Sequence, residues 1–590
     1  MQQISINANQ PAFGQGKNGQ VKDINGVNGA PISFMPGYPD LQDQFNQIGI
    51  SHVRFHDIFG PGDIEDVVFP LQLNSQLMIA VPTLQKVRAA AFVAAITKDR
   101  AIFPHANAGM RVFSQSLASS TPNWAPTDYY IRKTMENIES LNPGHIERNV
   151  MFRIGRSNGG DSSVPANFDI YADLVGQAVE RYSANISMSG IPRKVLYWEI
   201  WNEPDLGLFW TGTPAQFYSM YEKIARKIKS IDPSAKVGGS GVANGDDGSG
   251  PYTRGLVNYC RNNGVPLDFL SWHYYAQNSS DPRRFATCAA LQRQNLDRAG
   301  FTSAESICTE WNITPLSSAV TASAVQSAEN AAYITASFIT MNKSAVDKAY
   351  YYRGDAGFLG LFNDAPNPRD PSSKAFCTYA AQAFGLYKQM FGTPQLLATP
   401  ELSGNDIYVL AGRGTNAVNV LVSNFTPDLR LAAGAKTPSG GLNQQHYVDS
   451  GRLLFAIDDD WSIEHWFGGS KPSLLRQTQY HPPSHDAHQD APETDEDGAD
   501  PVASKPPLDT APAPAPAVMA VNDGIVLNVS GLPTFTPRLE VRRIVQGGDL
   551  GAVLPPVNNG GVNAQYNGNN ITIYDPLAVP YTVTHYSIIW

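Results

Sequence analysis

Glu203 closes the run Val195-Leu196-Tyr197-Trp198-Glu199-Ile200-Trp201-Asn202-Glu203-Pro204-Asp205. The first half is apolar, β-branched and aromatic, as in a buried strand. Pro204 has no backbone donor and a fixed φ, so the strand must stop before it. A carboxylate at the mouth of a buried strand is costly unless it has a partner or a task. A second run, Glu305-Ser306-Ile307-Cys308-Thr309-Glu310-Trp311-Asn312, repeats the arrangement. Two glutamates at the ends of two strands of one sheet are the pair that glycosidic-bond cleavage needs. One protonates the leaving oxygen, and the other attacks the anomeric carbon or activates a water.

The run Trp-Glu-Ile-Trp-Asn-Glu-Pro-Asp, taken with the Glu310 motif, resembles the acid/base and nucleophile strands of retaining (β/α)8 glycoside hydrolases. The nearest resemblance is to glycoside hydrolase family 39, which includes β-xylosidases and α-L-iduronidases. It spans most of residues 20 to 390 and the terminal strands. It implies Glu203 as general acid, with a pKa raised by burial and by the nearby Glu310 charge. It implies Glu310 as the ionised nucleophile. Asn202 would grip the sugar 2-hydroxyl, Arg54 would support the nucleophile, and Tyr275 would hydrogen-bond to it. His56 and His273 match sugar-hydroxyl contacts, and Trp311 would wall the sugar site. Glu199, deeper by the strand alternation, is read as structural. The eighth strand departs from the family: Tyr350-Tyr351-Tyr352-Arg353-Gly354-Asp355 stands where relatives often place Trp or Phe. Arg353 is expected either to contact the substrate or to pair with Asp355.

The rest of the chain must carry these residues, and its strand–helix alternation repeats eight times. The strands are Asn25 to Pro31, His52 to Asp57, Val150 to Arg156, the Glu203 run, Ala235 to Gly239, Leu267 to Tyr275, the Glu310 run and Lys348 to Arg353. Helical spacing covers Leu41 to Ile48, Thr127 to Leu141, Asn167 to Ser183, Pro214 to Ile231, Tyr252 to Asn263, Arg283 to Ala299, Ser323 to Asn342 and Ser373 to Met390. Such a count predicts a TIM barrel over residues 21–390, with its site at the C-terminal ends of the strands. Arg54 and His56 share one face there by the period of two. The long connection over 60–125 is expected to shape a cleft.

After residue 390 short strands separated by Gly, Asn and Pro predict a β-sandwich over 391–590, which the strand within residues 1–20 is expected to join. The stretch about 468–518 has an acidic run and alternating Ala-Pro, and cannot bury a core. His481, His485 and His488 within it match no metal-site spacing and are read as solvated linker.

A net charge of −10 with no basic stripe argues against a nucleic-acid partner. No apolar run is long enough for a membrane span. Four dispersed cysteines form no zinc or disulfide pattern. No cofactor or metal is expected. The start Met1-Gln2-Gln3-Ile4-Ser5 lacks signal-peptide character, so the chain is expected to be cytoplasmic, or secreted or periplasmic after removal of a signal peptide. The expected function is double-displacement hydrolysis of an oligosaccharide or polysaccharide by a β-xylosidase-like exo-enzyme. The alternatives are a hydrolase of an acidic polysaccharide or uronide, with Arg153, Arg156 and Arg353 binding carboxylate, and a non-catalytic carbohydrate-binding barrel. Deleting residues 484–516 should leave the melting temperature nearly unchanged. A large drop would show that the tract packs on the folded body.

Overall fold

The structure is a computed structural model that describes residues 1–32, 40–55, 124–136, 148–155, 164–165, 167–207, 209–276, 280–313, 325–356, 359–363, 376–400, 406–427, 524–534, 537–548, 554–558 and 560–590. Strand β1 (Gln2–Asn7) comes first. Eight strands then close a barrel: β2 (Gly26–Asn28), β3 (His52–Phe55), β4 (Asn149–Ile154), β5 (Tyr197–Ile200), β6 (Lys236–Val242), β7 (Phe269–Tyr275), β8 (Glu305–Asn312) and β9 (Lys348–Tyr351). All neighbours are parallel, and Gly26 opposite Tyr350 closes the ring. Parallel neighbours need crossovers, and helices supply them. These are α1 (Gln42–Ile48), α2 (Ala125–Met135), α3 (Phe168–Val179), α4 (Pro214–Ile231), α5 (Leu256–Asn263), α6 (Arg284–Arg298), α7 (Ala328–Asn342) and, after β9, α8 (Tyr379–Gln389).

Local signals set the helix ends. Gly49, at φ +81°, stops α1 in the left-handed region. Asn167 accepts from the N–H groups of Asp169 and Ile170 at the start of α3. Thr213 and Gln216 form a reciprocal capping box on α4, a device worth about 1 kcal/mol. Several helix starts differ from the sequence expectation, α5 among them, which begins at Leu256 rather than Tyr252. α2 begins at Ala125, before Thr127, with proline in its first turn. α7 begins after Ser327, whose hydroxyl accepts from Asn330 N–H. α8 begins after Thr378, which caps Ala381 N–H in the same way. Propensity ran on through the earlier serines, but the hydroxyl that actually meets the free N–H groups decides the boundary.

The barrel wall separates two cores. Phe152, Trp198, Leu270, Cys308 and Tyr351 point outward into the layer shared with the helices. Met151, Tyr197, Phe269, Ile307 and Tyr350 alternate with them and fill the interior. The lower barrel is therefore packed, and the polar groups at the C-terminal ends of the strands gather above this plug.

Beyond the barrel lie a two-stranded ladder of β10 (Phe362–Asn363) with β11 (Phe376–Cys377), and then two sheets. One has the order β12 (Gln395–Leu397), β13 (Ile407–Arg413), β14 (Ala417–Asn424), β20 (Thr582–Ile589), β16 (Arg538–Ile544), β17 (Val557–Asn558). The other has β1, β15 (Ile525–Ser530), β19 (Asn570–Asp575), β18 (Asn563–Asn567). β1 pairs with β15 in parallel, Gln2 opposite Ile525. Ile4, Leu527 and Ile573 of one sheet share a core with Val409, Val420 and Ile588 of the other, which makes a β-sandwich. Ser423 on β14 donates to the Ala332 carbonyl on α7 at 2.7 Å, joining sandwich to barrel. Among the described residues no helix is long and apolar enough to cross a membrane. The connection over 60–123 and the Pro/Asp/His-rich stretch 468–518 lie outside the described residues.

Candidate active site

Regular alternation alone would not bring the two glutamates together. In β8, Ile307 faces the interior and Cys308 faces the helices, so an unbroken pleat would turn Glu310 outward. Pairing with β7 slips between Trp272 and His273: Trp272 stands opposite Cys308, and His273 opposite Glu310. Thr309 is the extra residue of a β-bulge, and the bulge turns Glu310 back into the barrel. β5 breaks phase differently. It ends at Ile200, three residues before Glu203 rather than on it. Trp201 (φ +77°) and Glu203 (φ +44°) are both left-handed, a rare and strained state for non-glycine residues. Trp201 swings outward, packs edge-on against Trp210 at 5.1 Å and donates from Nε1 to the Phe209 carbonyl. Asn202 and Glu203 both turn inward, and Glu203 N–H donates to Gly241 O at 2.8 Å.

Arg54 on β3 lies at the centre of the site, fully buried. Its Nε donates to Glu199 Oε2 at 2.5 Å. One Nη donates to Glu310 Oε1 at 2.6 Å and to Asn28 Oδ1 at 3.0 Å. The other donates to Asn202 Oδ1 at 2.8 Å. Burial alone would lower the guanidinium pKa, but Glu199 and Glu310 hold it above its ordinary value. Glu310 is also bound by the Tyr275 hydroxyl, which donates to Oε2 at 2.8 Å. Burial pushes the Glu310 carboxyl above its ordinary pKa, and Arg54 and Tyr275 pull against that. His273 Nδ1 lies 2.8 Å from Glu203 Oε1 and 3.5 Å from Glu310 Oε2. Burial, with Arg54 and Arg153 nearby, pushes the imidazole pKa well below its ordinary value, so the ring is neutral. One oxygen each of Glu203 and Glu310 and one ring nitrogen of His273 all lie within 4.8 Å of one another.

The structure thus gathers Asn202, Glu203, Arg54, His273, Tyr275 and Glu310 around one point. One sequence assignment is corrected. Trp311 does not wall the sugar site. The residue after an inward Glu310 must point outward, and Trp311 is fully buried against Phe285, Phe338 and Tyr351. His273 bonds the Glu203 carboxylate through Nδ1. Arg353 grips Asp355 through Nε at 2.9 and 3.0 Å and through an Nη. His56 and Arg156 lie outside the described residues. Glu199, read as structural, is a direct partner of Arg54. The clue available in the sequence was its parity with Tyr197, which sets it facing inward. Asn28 was missed, because nothing local marks a lone asparagine as an arginine acceptor.

Residues 157–408 match the family model for glycosyl hydrolases family 39. That match covers under half of the chain. The match takes in Asn202, Glu203, His273, Tyr275 and Glu310, while Arg54 precedes it. A β-xylosidase of Geobacillus stearothermophilus is 28% identical over 127 residues, 21% of this chain and 24% of that protein. A β-xylosidase of Caldicellulosiruptor saccharolyticus is 28% identical over 117 residues, 20% of this chain and 22% of that protein. The chain thus aligns with less than a quarter of either curated relative. Among solved structures, a glucosidase from Croceicoccus marinus superposes with a TM-score of 0.63 at 22% identity, covering 100% of this chain and 99% of that one. A monomeric β-xylosidase from Caulobacter crescentus gives 0.57 at 14%, with 100% and 99% covered. At these identities the likeness is one of fold: a barrel with an attached sheet domain.

Two outcomes follow from this geometry. Trp311→Ala should cost about 3–5 kcal/mol of stability, as for a buried aromatic, with KM little changed. Denaturant unfolding and steady-state kinetics measure both, and a raised KM with intact stability would restore the sugar-wall role. Arg54→Met removes the charge that opposes burial at Glu310. The Glu310 pKa then rises, its ionised form is lost at higher pH, and the acid limb of the kcat/KM profile should move up in pH. An unmoved acid limb would separate Arg54 from the ionisation of Glu310.

Proposed function

We propose that this chain is a retaining glycoside hydrolase in which Glu310 is the nucleophile and Glu203 the general acid/base. The observation that carries the reading is the approach of the two carboxyl groups, with an oxygen of each within 4.8 Å of the other. Retaining enzymes need about 5 Å between the carboxyls, whereas inverting ones leave about 6.5–9.5 Å for a water. The partners fit the same division of labour. Glu310 has a permanent cation and a phenol on its oxygens, both stabilising the anion that must attack. Glu203 has a neutral imidazole, which can lie beside either the acid or its conjugate base.

In the first step Glu310 attacks the anomeric carbon while Glu203 delivers its proton to the leaving oxygen. In the second, Glu203 takes a proton from water as water displaces Glu310. The Asn202 side-chain oxygen is held by Arg54, while its Nδ2 is buried with no protein partner among the described residues. That amide is the group to donate to the sugar 2-hydroxyl, where a bond strengthens as the oxocarbenium ion develops. The substrate class supported best is a neutral β-xyloside or related β-glycoside. The named relatives are β-xylosidases and a glucosidase. Arg353, which could have read a uronate, is engaged by the buried Asp355.

Glu310→Ala should abolish turnover of aryl β-xylosides. Glu203→Ala should lose about 10²–10⁴-fold on poor leaving groups and far less on activated ones. Azide should rescue Glu203→Ala and give the β-azide from a β-glycoside. An inverted azide would mean that the two roles are exchanged.

A further inference from the structure

Glu199 has two oxygens with different surroundings. Oε2 is taken by Arg54 Nε. Oε1 is buried with no protein partner among the described residues, and the same is true of His273 Nε2. Both atoms border Gly241: each lies 3.3 Å from the point where a Cβ on that residue would stand. Gly241 has φ +63°, and β6 slips its pairing with β7 there. Glycine suits this bend, and its missing side chain leaves open the space that both atoms border.

We infer that Glu199 is a positioning residue for the acid/base: it keeps the proton of His273 on Nε2, so that Nδ1 accepts from a protonated Glu203. An ionised carboxylate can only accept, so the ring nitrogen facing Glu199, directly or through one water, is the one that carries hydrogen. A neutral imidazole has one donor and one acceptor. With Nε2 donating, Nδ1 offers a lone pair, and the 2.8 Å contact to Glu203 Oε1 is satisfied only if the Glu203 carboxyl holds the proton. That is the state a general acid needs before the first step. Once Glu203 has given its proton to the leaving group, the Nδ1 contact favours its return, which is the base step of deglycosylation. Glu199 reaches the nucleophile as well, because Arg54 binds both carboxylates. The groups facing this cluster are Arg54 from β3, Arg153 from β4, His273 from β7, Glu310 from β8 and Tyr350 from β9. Burial, with the two arginines beside it, keeps the imidazole neutral.

The inference rests on the proposed roles of Glu203 and Glu310, and its test can fail separately from them. In Glu199→Gln the amide oxygen must stay on Arg54, so the amide NH₂ faces His273 Nε2. Nε2 then accepts, Nδ1 carries the hydrogen and donates to Glu203, and the ionised carboxylate is favoured. The basic limb of kcat/KM should fall by about one pH unit, the preference carried by one hydrogen bond. The loss in rate should be large for alkyl glycosides and small for dinitrophenyl glycosides, which need no acid. A merely structural Glu199 would lower both alike and leave the limb in place, and that result would overturn the inference. Nitrogen-15 spectra of His273 give a second reading that needs neither activity nor a variant. The resting wild-type enzyme should show hydrogen on Nε2, and hydrogen on Nδ1 would overturn the inference. If Glu310→Ala retained turnover, the catalytic roles would fall while the tautomer reading stood on its own.

Discussion

One buried guanidinium organises the upper barrel. Arg54 holds acceptors from three other strands or their exit turns: Asn28 on β2, Glu199 and Asn202 on and after β5, and Glu310 on β8. Removing so much charge from water costs several kcal/mol per ion, which only close, well-directed pairing offsets. A planar fork with five donors can serve four acceptors at once, whereas a lysine ammonium has three donors and no fixed plane. The two carboxylates on Arg54 leave the cluster with a surplus negative charge. Burial, and to a lesser degree the Glu199 charge, raises the Glu310 carboxyl, while the guanidinium limits that rise.

The geometry around Arg54 depends on departures from regular structure. Left-handed Trp201 and Glu203, the glycine bend at Gly241 and the bulge at Thr309 each change which way a side chain faces. Each departure weakens a ladder or strains a backbone, and the packed body around it supplies the compensation. Trp201 is clamped between Trp210 and the Phe209 carbonyl, and Trp311 is wedged among rings of β9, α6 and α7. Outer-core tryptophans therefore fix the directions in which Glu203 and Glu310 point, although neither ring enters the site.

The opposite end of the barrel is charged too, but its groups neutralise one another locally. His52 lies between Asp23 and Lys348, and Glu305 between Lys236 and the Tyr197 hydroxyl. The apolar plug of Met151, Tyr197, Phe269, Ile307 and Tyr350 separates these pairs from Arg54 and its partners. Among the described residues, polar atoms without hydrogen-bond partners on Asn202, Glu199 and His273 lie beside the proposed chemistry.

Much of this was legible in the sequence. Apolar runs of strand length alternating with capped helical segments determined an eight-stranded parallel barrel, because buried parallel strands need helical crossovers. Carboxylates at the ends of two such runs marked the pair Glu203 and Glu310. The side-chain directions were not legible. A period-two reading puts Cys308 and Glu310 on one face, yet the bulge at Thr309 separates them. A tryptophan beside a nucleophile reads as a sugar platform, and only the finished wall shows that Trp311 faces the helices. The pairing of Glu199 also stayed hidden, since its partner Arg54 is 145 positions away in the chain. Composition and local pattern fix which segments form strands and where those strands end. Bulges, left-handed turns and ion pairs across the barrel arise only when strands distant in sequence pack side by side, and so the tertiary structure alone decided them.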